Sequence, residues 1–488
     1  MKLLLKDLRT YFVGLLLGCN IWFTYYMIAY QALPTQYLIP VLAVIYIISA
    51  LLVLMQYKTK KTGQTVGKVL IAIFCAILLF ITFTYKEAVD LLDGMEHRED
   101  TDVVSVIVRD KSNYNVIEDL EGKTFAYLDN DDTFVLQTIE ELGITKEYLV
   151  TYKDLSQMIK DLYSKKVDSI LLNEAYRNLL EDDFPKFDEE TRVIYTKEYK
   201  TIVKEEEPEK PNEEQFLDAD GNPSKPIEFA EITYDESIDV TQETFNVYVT
   251  GIDTYGSIST RSRSDVNMIV TVNPRSKQIL ITNIPRDYYI PFSVTGGVRD
   301  KLTHSGLYGP NETKNNVQRY FGVYLPYYVR VNFSSLVNIV DAIGGIDINN
   351  PHTCFDLPVG EAHLDGKMAL IYARERASFG GLDSERVKNQ ARVMQGIINK
   401  VASPEIITNY GPLMNAINGS FVTNISNNQI MSLIRMQLND MSSWSISTQV
   451  AGGHYDWRYS PIYGSRLTMF IPDDNSVRNC RDRIASMY

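Results

Sequence analysis

The sequence predicts three N-terminal transmembrane helices followed by an α/β ectodomain, with a small α/β unit ahead of a larger one. Three features predict it. Apolar stretches fill the first 85 residues, residues 98–200 alternate short apolar strands with helical segments, and residues 243–488 repeat that alternation with aspartates and arginines gathered at strand ends.

The apolar stretches at 11–33, 37–57 and 66–85 each approach the ~20 residues needed to cross a bilayer core. No small-residue cleavage site follows the first, and two more spans come after it, which argues against a signal peptide. Lys2, Lys6 and Arg9 precede the first span, and Lys58, Lys60, Lys61 and Lys68 lie between the second and third. Basic flanks stay cytoplasmic. The turn at 34–36 and everything after residue 85 are therefore expected outside.

Charge follows the same division. The 488 residues carry 48 basic and 62 acidic side chains, a net −14. The first 85 hold seven basic residues and one acidic, leaving a strongly acidic remainder. Such a bulk argues against a general nucleic-acid binder, which needs a cationic surface. Four cysteines, at 19, 75, 354 and 480, are too few and too scattered for a disulfide framework or zinc cluster. Pairing of Cys354 with Cys480 and isolated thiols both stay open.

Residues 1–97 read as anchor and stalk. In the accessory unit, 98–200, strands are expected at 103–108, 124–128 and 167–172, and helices at 132–142, 155–164 and 173–181. Its layout resembles one lobe of an extracellular solute-binding protein, without a ligand motif, and a spacer role is the plain expectation. Residues 205–237 carry twelve acidic and two basic residues with four prolines. They cannot bury enough apolar surface to fold alone, so 201–242 reads as a linker or a long hairpin.

The final unit opens with alternation: Phe245, Val247 and Val249 against Asn246, Tyr248 and Thr250, the period of a half-buried strand. A second strand starts at Asp265, Asn273-Pro274-Arg275-Ser276-Lys277 reads as a hairpin turn, and a third strand covers 279–283. In an antiparallel meander, the end of the first strand, the start of the second and the end of the third share one edge. Asp253, Asp265 and Arg286 then cluster. Two readings stay open: a salt-bridge network, or two carboxylates that hold a divalent cation beside a phosphate-binding arginine.

More cations follow at Arg261, Arg263 and Lys301. Arg374 and Arg376, taken as extended chain, would point to one face. Asp383 and Ser384 are N-cap candidates for a helix over 385–401, with Val387, Ala391, Met394, Ile398 and Val401 as its buried stripe. Arg386 and Gln390 share another face near its anion-favouring start. Arginine's planar fork suits phosphate, so the pattern points to a polyanion site in an otherwise acidic ectodomain. His304 reads as a packing or hydrogen-bonding residue, and 466–471 with 474–487 as a closing strand and helix.

These residues carry a family resemblance. Val249-Thr250-Gly251-Ile252-Asp253, Ser262-Arg263-Ser264-Asp265-Val266, Ile284-Pro285-Arg286-Asp287, Asp300-Lys301-Leu302-Thr303-His304, Gly344-Gly345-Ile346, Tyr372-Ala373-Arg374-Glu375-Arg376 and the run from Asp383 to Gln390 resemble the LytR-CpsA-Psr family in order and spacing. Three spans and an accessory unit fit its capsule subgroup. The resemblance implies an α/β/α sandwich around a mixed sheet, with a long apolar pocket for a lipid. It implies a Gram-positive, extracellular, Mg2+-dependent phosphotransferase that moves capsular polysaccharide or a related glycopolymer from a polyprenyl-pyrophosphate carrier to peptidoglycan.

Carried over by position, Asp253 and Asp265 match the metal aspartates. Arg263, Arg286, Lys301, Arg374, Arg376, Arg386 and Gln390 match residues around the pyrophosphate, with Asp253, Asp265, Arg286 and Arg374 as the catalytic set. Many members have Arg-Gln-Gln where this chain has Asn389-Gln390-Ala391, and Lys388 is the nearest replacement charge. Two other functions compete. One is a regulator of capsule synthesis, the transcriptional-attenuator label of such proteins, acting through contacts with capsule-synthesis membrane proteins rather than with nucleic acid. The other is a polyprenyl-pyrophosphate phosphatase with water as acceptor.

Overall fold

The structure, a computed structural model, describes residues 8–29, 35–93, 99–129, 132–180, 183–202, 216–217, 223–224, 238–254, 258–295, 297–353, 357–375, 383–403, 413, 416 and 420–488. Three helices, α1 (Leu8–Ala29), α2 (Thr35–Lys58) and α3 (Lys61–Asp93), are the expected spans, each long and apolar enough to cross a membrane. Leu16, Phe23, Leu52, Ile71 and Leu78 form their common seam, where Asn20 Nδ2 donates to Ser49 Oγ at 2.9 Å. α3 continues to Asp93, so the first part of the expected stalk is helix.

The accessory unit follows directly: β1 (Glu99–Arg109), β2 (Phe125–Leu128), α4 (Thr133–Glu141), β3 (Leu149–Tyr152), α5 (Leu155–Tyr163), β4 (Ser169–Asn173), a short α6 (Phe187–Glu190) and β5 (Thr191–Ile202). Asp132 and Asp154 cap α4 and α5 by accepting from backbone N–H groups of the first turn. The sheet order is β3-β2-β4-β1-β5, with β2 parallel to β3 and β4, and β1 antiparallel to β4 and β5. Two strands, β3 and β5, escape a search for apolar runs, because both lie at the sheet edges and β5 intersperses Arg192, Lys197 and Lys200 with its apolar residues. The expected helix at 173–181 is instead a 3-10 helix, Glu174–Leu180.

Within the acidic segment, β6 (Phe216–Leu217) and β7 (Pro223–Ser224) pair antiparallel, the hairpin alternative of the sequence. The large unit then runs β8 (Phe245–Ile252), β9 (Ser264–Asn273), β10 (Gln278–Asn283), β11 (Tyr289–Pro291), β12 (Arg299–Lys301), α7 (Pro310–Phe321), β13 (Tyr327–Val331), α8 (Phe333–Ala342), β14 (Ile346–Asn350), β15 (Gly360–Leu364), α9 (Gly366–Arg374), α10 (Asp383–Val401), β16 (Phe421–Thr423), α11 (Asn427–Asp440), β17 (Ser445–Val450), β18 (Gly453–Ser460), β19 (Ser465–Pro472) and α12 (Asp474–Ala485). Its six-stranded mixed sheet has the order β16-β13-β8-β9-β10-β17. β8–β9–β10 is the expected meander, while β13 lies parallel to β8 and β17 parallel to β10.

Helices cover both faces. Tyr248, Ile269 and Leu280 pack on α7 and α12, and Val247, Val249, Met268, Val270 and Ile281 pack towards α10 and α11. β8 is accordingly buried at every position, not on one face as its alternation predicts. The polar alternates find partners inside: Thr271 Oγ1 donates to Asn246 Oδ1 at 2.7 Å.

The two units share a core. Leu307 and Tyr463 of the large unit join Leu155, Leu162, Leu179 and Leu180 of the accessory unit. β1 adds a short parallel bridge to the loop after β8: Thr101 N donates to Ser259 O at 2.9 Å, and Arg261 N to Thr101 O at 3.2 Å. Around it, Asp100 and Asp102 are buried against Arg330 of β13 (3.5 Å) and Arg261 (3.3 Å). Burial pushes the Asp102 carboxyl up, against the pull of Arg261 and Asn173. Charges taken out of water persist only when paired this closely. The accessory unit is thus docked on its neighbour through a shared core and buried ion pairs.

Candidate functional site

The meander delivers its strand ends to one edge, as parity requires. β8 ends at Ile252, so Asp253 follows it, while β9 starts at Ser264-Asp265 and β10 leads into Arg286. Arg286 Nη1 donates to Asp265 Oδ2 at 2.6 Å, and Thr303 Oγ1 donates to Asp265 Oδ1 at 2.8 Å. Arg263 Nη2 donates to Asp253 Oδ2, and Ser262 Oγ donates to Asp253 Oδ1 at 2.9 Å. Lys301, at the end of β12, pairs with Asp287 at 3.1 Å.

The electrostatics tie these pairs together. Burial alone would raise the Asp265 carboxyl, but Arg286, Arg263 and Arg386 outweigh it and hold the group well below the usual carboxylate range. Burial likewise acts upward on Asp287, and Lys301, Arg286 and Arg386 bring it below its ordinary value. For Arg263, burial works against the charge, while Asp265 and Asp253 more than restore it. Arg263, Arg286 and Arg386 thus gather on Asp265, Arg263 also meets Asp253, and Lys301 joins Arg286 and Arg386 on Asp287.

Backbone packing fixes this arrangement. Gly306 lies against the segment that carries Arg263 into β9, so that a Cβ there would fall 2.5 Å from Ser262 O and Ser264 N. Asp300, in turn, holds the 301–304 segment in place. It accepts from Lys301 N at 2.7 Å and Ser460 Oγ at 2.8 Å, and pairs with His304 Nδ1 at 2.9 Å. His304 is therefore a buried hydrogen-bonding residue, as its sequence context suggests.

The remaining sequence-predicted residues divide. Arg386 is buried in the first turns of α10, and Gln390 is half-buried one turn later. α10 begins at Asp383, so Asp383 and Ser384 lie inside the helix rather than ahead of it, and Val401 of the expected stripe is exposed. Lys388 is exposed and pairs with Glu385 at 2.6 Å. Arg374 ends α9 instead of lying on extended chain, because Asp365 caps a helix over the apolar run. It is exposed, and its guanidinium lies over the Phe333 ring, 4.3 Å from the centroid. Phe333 N donates to Thr254 O at 3.1 Å, which ties the ring under Arg374 to the residue after Asp253. Arg376 and Cys354 lie outside the described residues, and Cys480 is a free, buried thiol.

Sequence reasoning missed Asn178. This residue of the accessory unit donates from Nδ2 to Asp253 Oδ1 at 2.9 Å. A cavity of about 790 Å³ lies elsewhere, at the opposite end of β8 and β9, lined by Thr244, Asn246, Asn273, Arg275, Arg481 and Tyr488. It is not the apolar pocket implied by the resemblance.

Asp253 and Asp265 fit a magnesium ion. Magnesium takes one or two carboxylates and completes its shell with phosphate oxygens and water. Each carboxylate oxygen that accepts an arginine hydrogen keeps a second lone pair. Among the described residues no group of three or more His, Cys, Asp or Glu gathers as a closed cage.

Comparison with known proteins gives three findings. The LytR_cpsA_psr family matches residues 194–482. A polyisoprenyl-teichoic acid–peptidoglycan teichoic acid transferase TagU from Enterococcus faecalis is 34% identical over 193 residues, 38% of this chain and 63% of the relative. The protein of that name from Bacillus anthracis is 32% identical over 43% of this chain and 71% of the relative. The X-ray structure of the Lin1025 protein from Listeria innocua is 26% identical, covers 50% of this chain and 99% of that one, and has a TM-score of 0.41.

Proposed function

From the premise that the chain belongs to the LytR_cpsA_psr family, we propose that it transfers a glycopolymer from a polyprenyl-pyrophosphate carrier to peptidoglycan, outside the membrane. The observation that carries this is the convergence of Arg263, Arg286 and Arg386 on Asp265, with Arg263 also on Asp253 and Lys301 on the neighbouring Asp287, in a chain anchored by three spans. A pyrophosphate needs cations in excess and hydrogen-bond donors in fixed directions, and arginine forks supply both.

In the proposed reaction an acceptor sugar hydroxyl attacks the phosphorus next to the glycopolymer. A new P–O bond forms as the hydroxyl gives up its proton to water, the bridging P–O bond breaks, and polyprenyl phosphate leaves with the electron pair. Arg263, Arg286 and Arg386 stabilise charge on the phosphoryl oxygens, and Lys301 adds a point charge beside them. Magnesium, held by Asp253 and Asp265, would neutralise charge on the same oxygens when bound. Asp265 is a poor candidate for the base that takes the hydroxyl proton, since a carboxylate held below the usual range accepts protons weakly.

The extracellular orientation rests on the lysines between α2 and α3 and on one contact: Gln36 Nε2, in the first turn of α2, donates to Asn439 O of the large unit at 2.7 Å. That bond supports a common side for the α1–α2 turn and the ectodomain. Reporters fused at Lys61 and Tyr488 are expected on opposite sides of the membrane, and finding both on one side would reject the topology.

The direct test supplies the full chain in detergent with magnesium, a labelled polyprenyl-pyrophosphate glycan and peptidoglycan fragments. Label is expected on the fragments, with loss of transfer on chelation. Label released as free phosphorylated glycan, with none on peptidoglycan, would replace transfer by the phosphatase reading. The glycopolymer is taken to be capsular polysaccharide or a related wall polymer, and the same assay with different carriers decides between them.

A further inference from the structure

Among the described residues, Asp253 is the site aspartate with hydrogen-bond donors from both units. Its Oδ2 faces Arg263 of its own unit, while Oδ1 accepts from Ser262 Oγ at 2.9 Å and from Asn178 Nδ2, also at 2.9 Å. The same amide nitrogen lies 3.4 Å from Ser262 Oγ and from Asp253 O. A carboxylate only accepts, so the carboxamide must present its NH2 group here. Asn178 has little freedom to leave. It sits in the 3-10 helix Glu174–Leu180, and the next residues, Leu179 and Leu180, are buried in the core shared by the two units.

A second attachment acts on the same loop from β1. Thr101 bridges Thr260, and the Asp100 and Asp102 carboxylates face Arg261 and Arg330. Ser262 and Arg263, the other two partners of Asp253, follow at once in the chain. Docking of the accessory unit therefore fixes Asp253 twice, once through the Asn178 amide and once through the backbone that carries its remaining donors.

We propose that the accessory unit completes the phosphate site and that Asn178 is a positioning residue, which holds the Asp253 carboxylate in the orientation used for magnesium and pyrophosphate. This rests on the functional reading above and adds to it a role for the accessory unit. A hydrogen bond to a charged group, once lost, corresponds to roughly a tenfold effect or more.

The test uses the full chain in detergent with farnesyl pyrophosphate as probe and farnesol as the control lacking phosphate. Asn178→Leu keeps the shape and removes the donor. It is expected to weaken farnesyl pyrophosphate binding about tenfold in magnesium and to raise the magnesium concentration for half-maximal binding, with farnesol unaffected. Asn178→Gln, which retains a carboxamide, should fall between Asn178→Leu and wild type. Asp183→Asn is the interface control, because Asp183 accepts from Tyr463 Oη across the same junction without touching Asp253. It should leave both binding readouts unchanged. Equal losses in Asn178→Leu and Asp183→Asn would reduce Asn178 to a structural contact and overturn the proposal. Unchanged binding in Asn178→Leu overturns it as well, with the functional reading intact. If wild type itself fails to bind farnesyl pyrophosphate in magnesium, the functional reading falls and the proposal falls with it.

Discussion

Asp265→Asn is expected to abolish turnover and to cost about 3 kcal/mol of fold stability, the low end for breaking a buried ion pair. The stability loss follows from what stays behind. Arg286 and Arg263 are nearly buried, with side chains 11% and 8% exposed, and Asp265 is the charge that offsets them together with Arg386. The pH dependence has a definite sign. The folded carboxyl titrates below its unfolded value of about 3.9, so its contribution is fully present above that value and is lost as pH falls through the folded one. In magnesium-free buffer, denaturant titrations should show a constant gap between wild type and Asp265→Asn from roughly pH 5 to 8, shrinking under stronger acid. The double variant Asp265→Leu/Arg286→Met should recover part of the stability and none of the turnover, because an apolar pair replaces a buried ion pair without penalty while a lone charge does not. No stability gap at neutral pH would mean that water, not Asp265, compensates the arginines.

Arg286→Lys is expected to lower turnover ten- to a hundredfold, the range of one charge-assisted hydrogen bond at about 1.5–3 kcal/mol. Lysine keeps the charge and loses the fork. Arg286 already spends one donor on Asp265, so a phosphate partner depends on the others. Arg374→Lys should show a smaller loss, since Arg374 is exposed and loses mainly its stacking on Phe333. Binding of a prenyl alcohol should be the same in all three proteins. Equal losses for the alcohol and the pyrophosphate would move Arg286 from the site to the general fold.

Much of this site was legible before any coordinates. Strand parity alone placed Asp253, Asp265 and Arg286 on one edge, where Arg286 meets Asp265 and Arg263 meets Asp253. The N-terminal turns of α10 brought in Arg386. What local pattern cannot encode is a contact made by docking. Asn178 lies 75 residues from Asp253, in a segment whose apolar neighbours look like any amphipathic turn. The misreading of Arg374 has another cause. A five-residue apolar run fits strand or helix equally, and the deciding signal was Asp365, whose side chain accepts from Met368 N. β8 reads as half-buried because alternation reports one covered face, whereas its polar positions are satisfied inside the core.

The junction between β1 and the loop before Arg263 bears on how the gene tolerates shortening. Family similarity begins at residue 194, inside β5, which pairs with β1 along almost its whole length. A protein trimmed to that border would leave Arg330, 1% exposed, facing a hole where Asp100 belongs. Proteolysis or deliberate deletion up to that border would spare every family motif and still remove the partner of this buried charge. A shortened chain that keeps the Asp100–Arg330 pair starts no later than β1, at Glu99.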